Sequence, residues 1–167
     1  MKTLIVYATS RNCTEKITLK VKDYLGGDVT VINLKKQNVS SLKEYSRVII
    51  GGSVRSGRIQ KQVKEFCDKW LSELLQKELG LFICSMEAGE VARKQHEDAF
   101  PRELREVAKV NACFGGALDF TRMNFIERLI VRKVPHIRHS SAKVDFEAVR
   151  KFSIRMDRIF NPFLFIS

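Results

Sequence analysis

Short unbroken apolar runs alternate along this chain with longer stretches whose apolar residues return at helical spacing. The runs at 3–7, 29–34, 47–52, 79–85 and 110–118 read as strands, the first of them short, apolar and β-branched, as a strand buried on both faces is. Between them the spacing predicts a helix over 14–25 with Ile17, Val21 and Leu25 on one face, ended by Gly26-Gly27. A second helix is predicted over 60–75, with Val63, Phe66, Cys67, Trp70, Leu71 and Leu74 as its stripe. A helical region follows over 90–109, broken near Pro101, and a last helix over 145–160. That last helix has Asp145 as N-cap and Phe146, Val149, Phe152, Met156 and Ile159 facing inward. Residues 35–46 are polar with one helical turn around Leu42, and 53–59 and 86–89 read as loops at strand ends. Strand and helix alternating in this way predict a parallel sheet covered on both faces.

Residues 3–16, T-L-I-V-Y-A-T-S-R-N-C-T-E-K, carry the clearest chemistry. Hydroxyls and backbone N–H groups crowd the junction between the first strand and the first helix, where the helix dipole is positive and its first N–H groups lack partners. Such a junction suits an anion; it also suits a plain capped turn, since Thr and Ser cap helices. Neither G-x-G-x-x-G nor G-x-x-x-x-G-K-[ST] is present, which disfavours a dinucleotide or a nucleoside triphosphate and favours a monophosphate.

Composition narrows the class. The 167 residues suffice for one domain with a sizeable core. No apolar run approaches the roughly 20 residues of a membrane span, and a start directly on a strand predicts no signal peptide. Cys13, Cys67, Cys84 and Cys113 form no CxxC pair and read as reduced, mostly buried thiols of a cytoplasmic protein, with Cys13 alone in a loop. The three histidines lack metal-ligand spacing, so no metal site is expected. The net charge of +11 points to an anionic partner. Its densest basic stretch is 120–143, where Arg122, Arg128, Arg132, Lys133, Arg138 and Lys143 face one acid, Glu127. Met123, Ile126, Leu129 and Ile130 recur there at helical spacing, so the segment reads either as a helix packed on the domain or as an amphipathic helix lying on anionic lipid. The tail N-P-F-L-F-I-S is apolar enough to dock on the domain, a partner or a membrane.

The motifs, in order, resemble those of flavodoxin-like proteins, and most closely the menaquinone-dependent protoporphyrinogen oxidase family. K-T-L-I-V-Y-A-T-S-R-N-C-T-E is similar to that family's first strand and phosphate loop, and E-Y-S-R-V-I-I-G-G-S-V-R-S-G to its third strand and following loop. E-F at 65–66, F-G-G-A-L at 114–118, F-I-E-R-L-I at 125–130 and V-D-F-E-A-V at 144–149 continue the resemblance over nearly the whole chain. It implies an α/β, flavodoxin-like three-layer sandwich, with a five-stranded parallel sheet of order 2-1-3-4-5 and helices on both faces. Residues 1–167 would form one domain, with a basic amphipathic insertion at 120–143.

The resemblance also implies FMN, bound without a covalent link. Its phosphate would sit on Thr9, Ser10, Arg11, Asn12, Cys13 and Thr14. Its ring would lie between Ser53, Val54, Arg55, Ser56 and Gly57 on one side and Ser85, Met86, Glu87, Ala88 and Gly89 on the other. Asn12 stands where the family's loop carries glycine, and Asn tolerates the left-handed conformation better than most residues. Ser56, Gly57 and Arg58 stand where aromatics often appear, and Arg11, Arg55 and Arg58 bring positive charge instead. The implied activity is oxidation of protoporphyrinogen IX with a quinone acceptor, in haem biosynthesis, by a cytoplasmic protein peripheral to the membrane. No acid–base dyad stands out, and no nucleic-acid partner is expected. An FMN electron carrier is the competing function, although such carriers are usually acidic. A binding module that has lost its flavin is the third.

Overall fold

The computed structural model describes residues 1–10, 13–115 and 146–157. Five parallel strands form the sheet: β1 (Lys2–Ala8), β2 (Asp28–Asn33), β3 (Arg47–Arg55), β5 (Glu78–Ser85) and β6 (Val110–Gly115), in the order β2-β1-β3-β5-β6. The expected parallel order is thus observed, with one addition. A two-residue strand β4 (Arg58–Ile59) pairs antiparallel with the end of β3, so 53–59 is not a plain loop. The helices are α1 (Cys13–Tyr24), α2 (Lys61–Leu74), α3 (Gly89–Ala99), α4 (Arg102–Val107) and α5 (Phe146–Asp157). The predicted break near Pro101 falls between α3 and α4.

Side-chain alternation sorts the strands' residues into two cores. Leu4 aligns with Val48 and then Leu79, and Val6 with Ile50 and then Leu81; both rows pack beneath α2, α4 and the end of α3. Ile5 and Ile49 face the other way, toward Ile17 and Val21 of α1 and Val149, Phe152 and Met156 of α5. On that face Gly51 lies beside Phe82 in register. A Cβ on Gly51 would stand 2.0 Å from Phe82 Cζ, so the ring occupies the place of the missing side chain. Phe82 in turn meets Phe114 at 5.3 Å and Phe152 at 5.9 Å between ring centroids, the latter edge-on, which joins β5, β6 and α5.

Three expectations change. Phe146, expected inward, is 49% exposed, because it opens α5 one turn beyond Val149, the first α5 residue in the core. Cys113, expected to be buried, is exposed on the edge strand β6, where its Sγ donates to Ala92 O at 3.5 Å. Cys13 is the first residue of α1 and not a loop residue, and it is half-buried. The basic segment 120–143, residue Ile159 and the apolar tail lie outside the described residues.

At the sheet's amino edge, β3, β5 and α5 meet in an ionic clamp. Arg47, 3% exposed, donates from Nε to Glu78 Oε2 at 3.1 Å and from Nη1 to Asp157 Oδ1 at 3.0 Å. Asp157 also accepts the Gly26 N–H at 3.1 Å, and Lys109 Nζ bonds both Glu78 and Met156 O. A buried guanidinium needs such partners, since an unpaired buried charge costs several kcal/mol. The clamp fixes the amino edge and leaves the opposite edge open to function.

Candidate functional site

The carboxyl ends of β1, β3 and β5 lie side by side because β3 runs between the other two. Each strand is followed by a helix that starts at this same edge: α1 at Cys13, α2 at Lys61 beyond the β4 hairpin, and α3 at Gly89. Their first N–H groups carry the positive end of the helix dipole, so the edge favours anions before any side-chain charge is counted. In open sheets of this kind ligands bind outside the carboxyl ends, where the strand order reverses, here between β1 and β3.

The first turn is held from both sides. Tyr7 OH donates to Glu15 Oε1 at 3.0 Å, tying the end of β1 to the first turn of α1. Burial, then the Glu15 carboxylate, pushes the phenol up to about 12, so it stays a donor. Thr9 is half-buried and Ser10 exposed. The Ser10 N–H reaches Ser53 Oγ at 3.4 Å, and Gln60 Nε2 donates to the same oxygen at 3.2 Å. Thr14 is fully buried, yet its Oγ1 has no hydrogen-bond partner among the described residues. It lies beside the Cys84 thiol, which burial pushes up while the contact with Thr14 opposes that shift. A buried hydroxyl left unsatisfied costs about 1–3 kcal/mol, and a ligand acceptor would recover that cost. Arg11 and Asn12 lie outside the described residues.

The second turn is a hairpin. Val54 pairs with Ile59, and Arg55 stands directly opposite Arg58. Between them Ser56 has φ 50° and Gly57 φ 75°, both positive, as in the type I′ turn that suits the twist of two-residue hairpins. Glycine adopts this conformation freely; for Ser56 it costs about 1–2 kcal/mol. Ile59, 6% exposed, folds back over Gly52, where a Cβ would stand 2.8 Å from Ile59 Cγ1, and this contact anchors the hairpin. Ser53 and Val54 are half-buried, while Arg55, Ser56, Gly57 and Arg58 are exposed.

In the third turn Ser85 is buried; its Oγ donates to Gln95 Oε1 and accepts the Glu87 N–H at 3.1 Å. Met86 is half-buried, and Glu87, Ala88 and Gly89 are exposed. The three groups of residues singled out from the sequence therefore meet at one sheet edge, with Arg11 and Asn12 left undescribed. Sequence reasoning passed over Gln60 and Gln95, which brace the turns, and the opposed pairing of Arg58 with Arg55. The Ser-Gly dipeptide flanked by arginines was the available signal for the hairpin. This edge supplies hydroxyls, amides and cations, so it can seat an anionic ligand, and redox chemistry would have to arrive with that ligand.

Comparison with known proteins agrees with this architecture. A family model described as a flavodoxin domain matches residues 4–145. The chain is 24% identical over 168 aligned positions to the protoporphyrinogen IX dehydrogenase [quinone] of Leishmania major, covering 91% of this chain and 73% of that protein. Among solved structures, a short-chain flavodoxin associated with a PDU bacterial microcompartment superposes with a TM-score of 0.65 at 16% identity, over 93% of this chain and 96% of that one. Oxidised flavodoxin 1 from Bacillus cereus gives 0.62 at 15% identity, over 93% and 97%. FMN is the cofactor of this family. With a family model spanning most of its length and the matching strand order, the chain belongs to the flavodoxin domain family.

Proposed function

We propose that this chain is an FMN-dependent oxidoreductase that oxidises protoporphyrinogen IX to protoporphyrin IX and delivers the electrons to a quinone. What supports the cofactor part is the anion-favouring turn between the carboxyl end of β1 and the amino end of α1. A phosphate acceptor at that turn fits the donor set: the hydroxyls of Thr9, Ser10 and Thr14 and the first N–H groups of α1. The segments Ser53–Gly57 and Ser85–Gly89 would border the flavin ring, the first fixed by Ser53 and Ile59, the second by the Ser85–Gln95 bond. When bound, FMN would supply the electron chemistry, and the protein would supply binding, orientation and local charge.

The substrate part rests on the resemblance and on the Leishmania major relative. The reaction balances with three acceptors: the macrocycle loses six hydrogens in all, and each of three quinones takes up two electrons and two protons and leaves as quinol. A cytoplasmic protein meeting a lipid-soluble acceptor needs access to a membrane surface. The basic residues of 120–143, among them Arg128, Arg132 and Lys133, would supply it through anionic lipid. No helix among the described residues is long and apolar enough to cross a membrane.

The test is a coupled assay. FMN-loaded protein is mixed with protoporphyrinogen IX and a menaquinone analogue carried in anionic or neutral vesicles, and porphyrin fluorescence is followed. The expected result is a rate well above the non-enzymatic one, faster with anionic vesicles at low salt. No rate above background, with reduction of protein acceptors intact, would move the function to electron carriage.

A further inference from the structure

We propose that a groove between α2 and the turn after β2 docks a partner protein, through an acidic segment that carries one apolar anchor. The turn is held by the Lys36 and Gln37 N–H groups, which donate to Asn33 O at 2.9 and 3.0 Å, and by the Lys35 N–H, which donates to Asn33 Oδ1 at 3.0 Å. Leu34 and Val39 of this turn, with Phe66 and Trp70 of α2, line a hollow of about 120 Å³. An apolar cavity of roughly 150 Å³ holds a benzene ring, so this hollow has room for a single leucine or aromatic side chain. Phe66 and Val39 are buried, whereas Leu34 and Trp70 are half-buried and can still be touched from outside. Tryptophan in such a place is a frequent anchor point of protein interfaces. The docking is independent of which small substrate the carboxyl edge takes.

Charge decides what the groove accepts. Lys35, Lys36 and Lys69 are exposed, and none of them forms an ion pair among the described residues. Lys69 Nζ stands 5.0 Å from the centroid of the Trp70 ring, so a cation lies against the apolar floor. Of the described residues that line the groove one is an acid, Glu65, and it is already paired with Lys61 Nζ at 2.9 Å. A partner's carboxylates therefore meet unpaired cations, whereas a basic segment would meet like charge. The net charge of +11 steers the whole chain toward an acidic surface in the same sense. The hollow favours a peptide, whose side chain can fill it, over a polyanion held by charge alone. Position gives the docking its use. The Leu34 N–H donates to Tyr7 O at 2.8 Å, and Gln62, in the first turn of α2, lines the same end of the groove. The groove thus starts at the carboxyl edge of the sheet, and a partner seated in it stands beside the place where electrons would enter or leave.

Trp70 is the chain's single tryptophan, so its emission reports on the groove directly. FMN-loaded protein is titrated with the peptide acetyl-Asp-Glu-Phe-Glu-Asp-amide at low and moderate salt. A saturable change in Trp70 emission is expected, weakening as salt rises. Replacing the peptide's Phe by Ala, or its acids by Asn and Gln, should each weaken binding by about tenfold or more. The double variant Lys35→Glu, Lys36→Glu should lose the acidic peptide by a similar factor with its urea midpoint unchanged, and Lys35→Arg, Lys36→Arg should keep it. No saturable change up to millimolar peptide would overturn the docking surface. So would equal affinity for the peptide without its Phe, or equal affinity in the glutamate variant. A single-stranded oligothymidylate that binds through the same lysines more tightly than the peptide would overturn it as well, by assigning them to nucleic acid. FMN uptake is read separately from the flavin spectrum, so failure of the peptide to bind leaves the cofactor reading standing.

Discussion

Ser56 shows what one residue contributes at the rim of the site. Its positive φ is tolerated because the hairpin around it is over-determined by the Val54–Ile59 pair and by Ile59 packed on Gly52. Asn enters this region more readily than Ser, because its side chain bonds locally to the backbone. Ser56→Asn is therefore expected to raise the unfolding free energy by up to about 1 kcal/mol, measured by chemical denaturation; an unchanged or lowered value would show that Ser56 carries no strain. Thr14 is the opposite case, a residue whose position was legible and whose state was not. Its place after a strand and at the head of a helix follows from apolar spacing. That its hydroxyl is buried without a partner among the described residues depends on α1 packing against β5, which no local pattern reveals. Cys113 was misread for a related reason: an apolar run marks a strand, but whether each side of an edge strand is covered is a tertiary fact.

At the scale of elements, the strands were plain because their apolar runs are continuous, and their parallel order followed from the family resemblance. The β3–β4 hairpin was hidden because Arg55, Ser56, Gly57 and Arg58 break the apolar pattern just where β3 runs on past the sheet. Gly51 shows how the sheet sets side-chain size across neighbouring strands. The Phe82 ring fills the space above it, so Gly51→Ala forces either the ring or the strand to move. Overpacking of this severity is expected to cost about 3 kcal/mol, the upper part of the usual range. Thermal or urea denaturation measures it, and the double variant Gly51→Ala, Phe82→Leu should recover part of the loss, because the two sites share one volume. Additive losses in the double variant would mean that the ring and the glycine are not coupled.

Across the whole molecule the two edges of the sheet divide the work, the amino edge holding the clamp and the carboxyl edge presenting the turns. The clamp makes a pH prediction. Burial pulls the Glu78 carboxyl upward, but hydrogen bonds from Lys109 and Arg47 outweigh it and leave the group below its ordinary value of 4.5. A carboxyl depressed in the folded state contributes stability that is complete above its unfolded value and lost as pH falls through the folded one. The gap in unfolding free energy between wild type and Glu78→Gln should therefore be constant near neutrality and close as pH falls below about 4.5; a gap that widens in acid would contradict the clamp. The net charge of +11 sets this protein apart from an acidic carrier, but the partner that charge meets is a matter of chemistry at the carboxyl edge. The most direct test of the account is a titration of FMN into the flavin-free protein, followed by quenching of flavin fluorescence, for wild type and for the variant with Thr9, Ser10 and Thr14 all replaced by Ala. Each hydrogen bond to a charged phosphate is worth about 1.5–3 kcal/mol, so the variant should bind at least about a hundredfold more weakly than a tightly binding wild type. Equal affinity in the two proteins, or a wild type that takes up no FMN, would contradict the assignment of this turn as the cofactor's phosphate site.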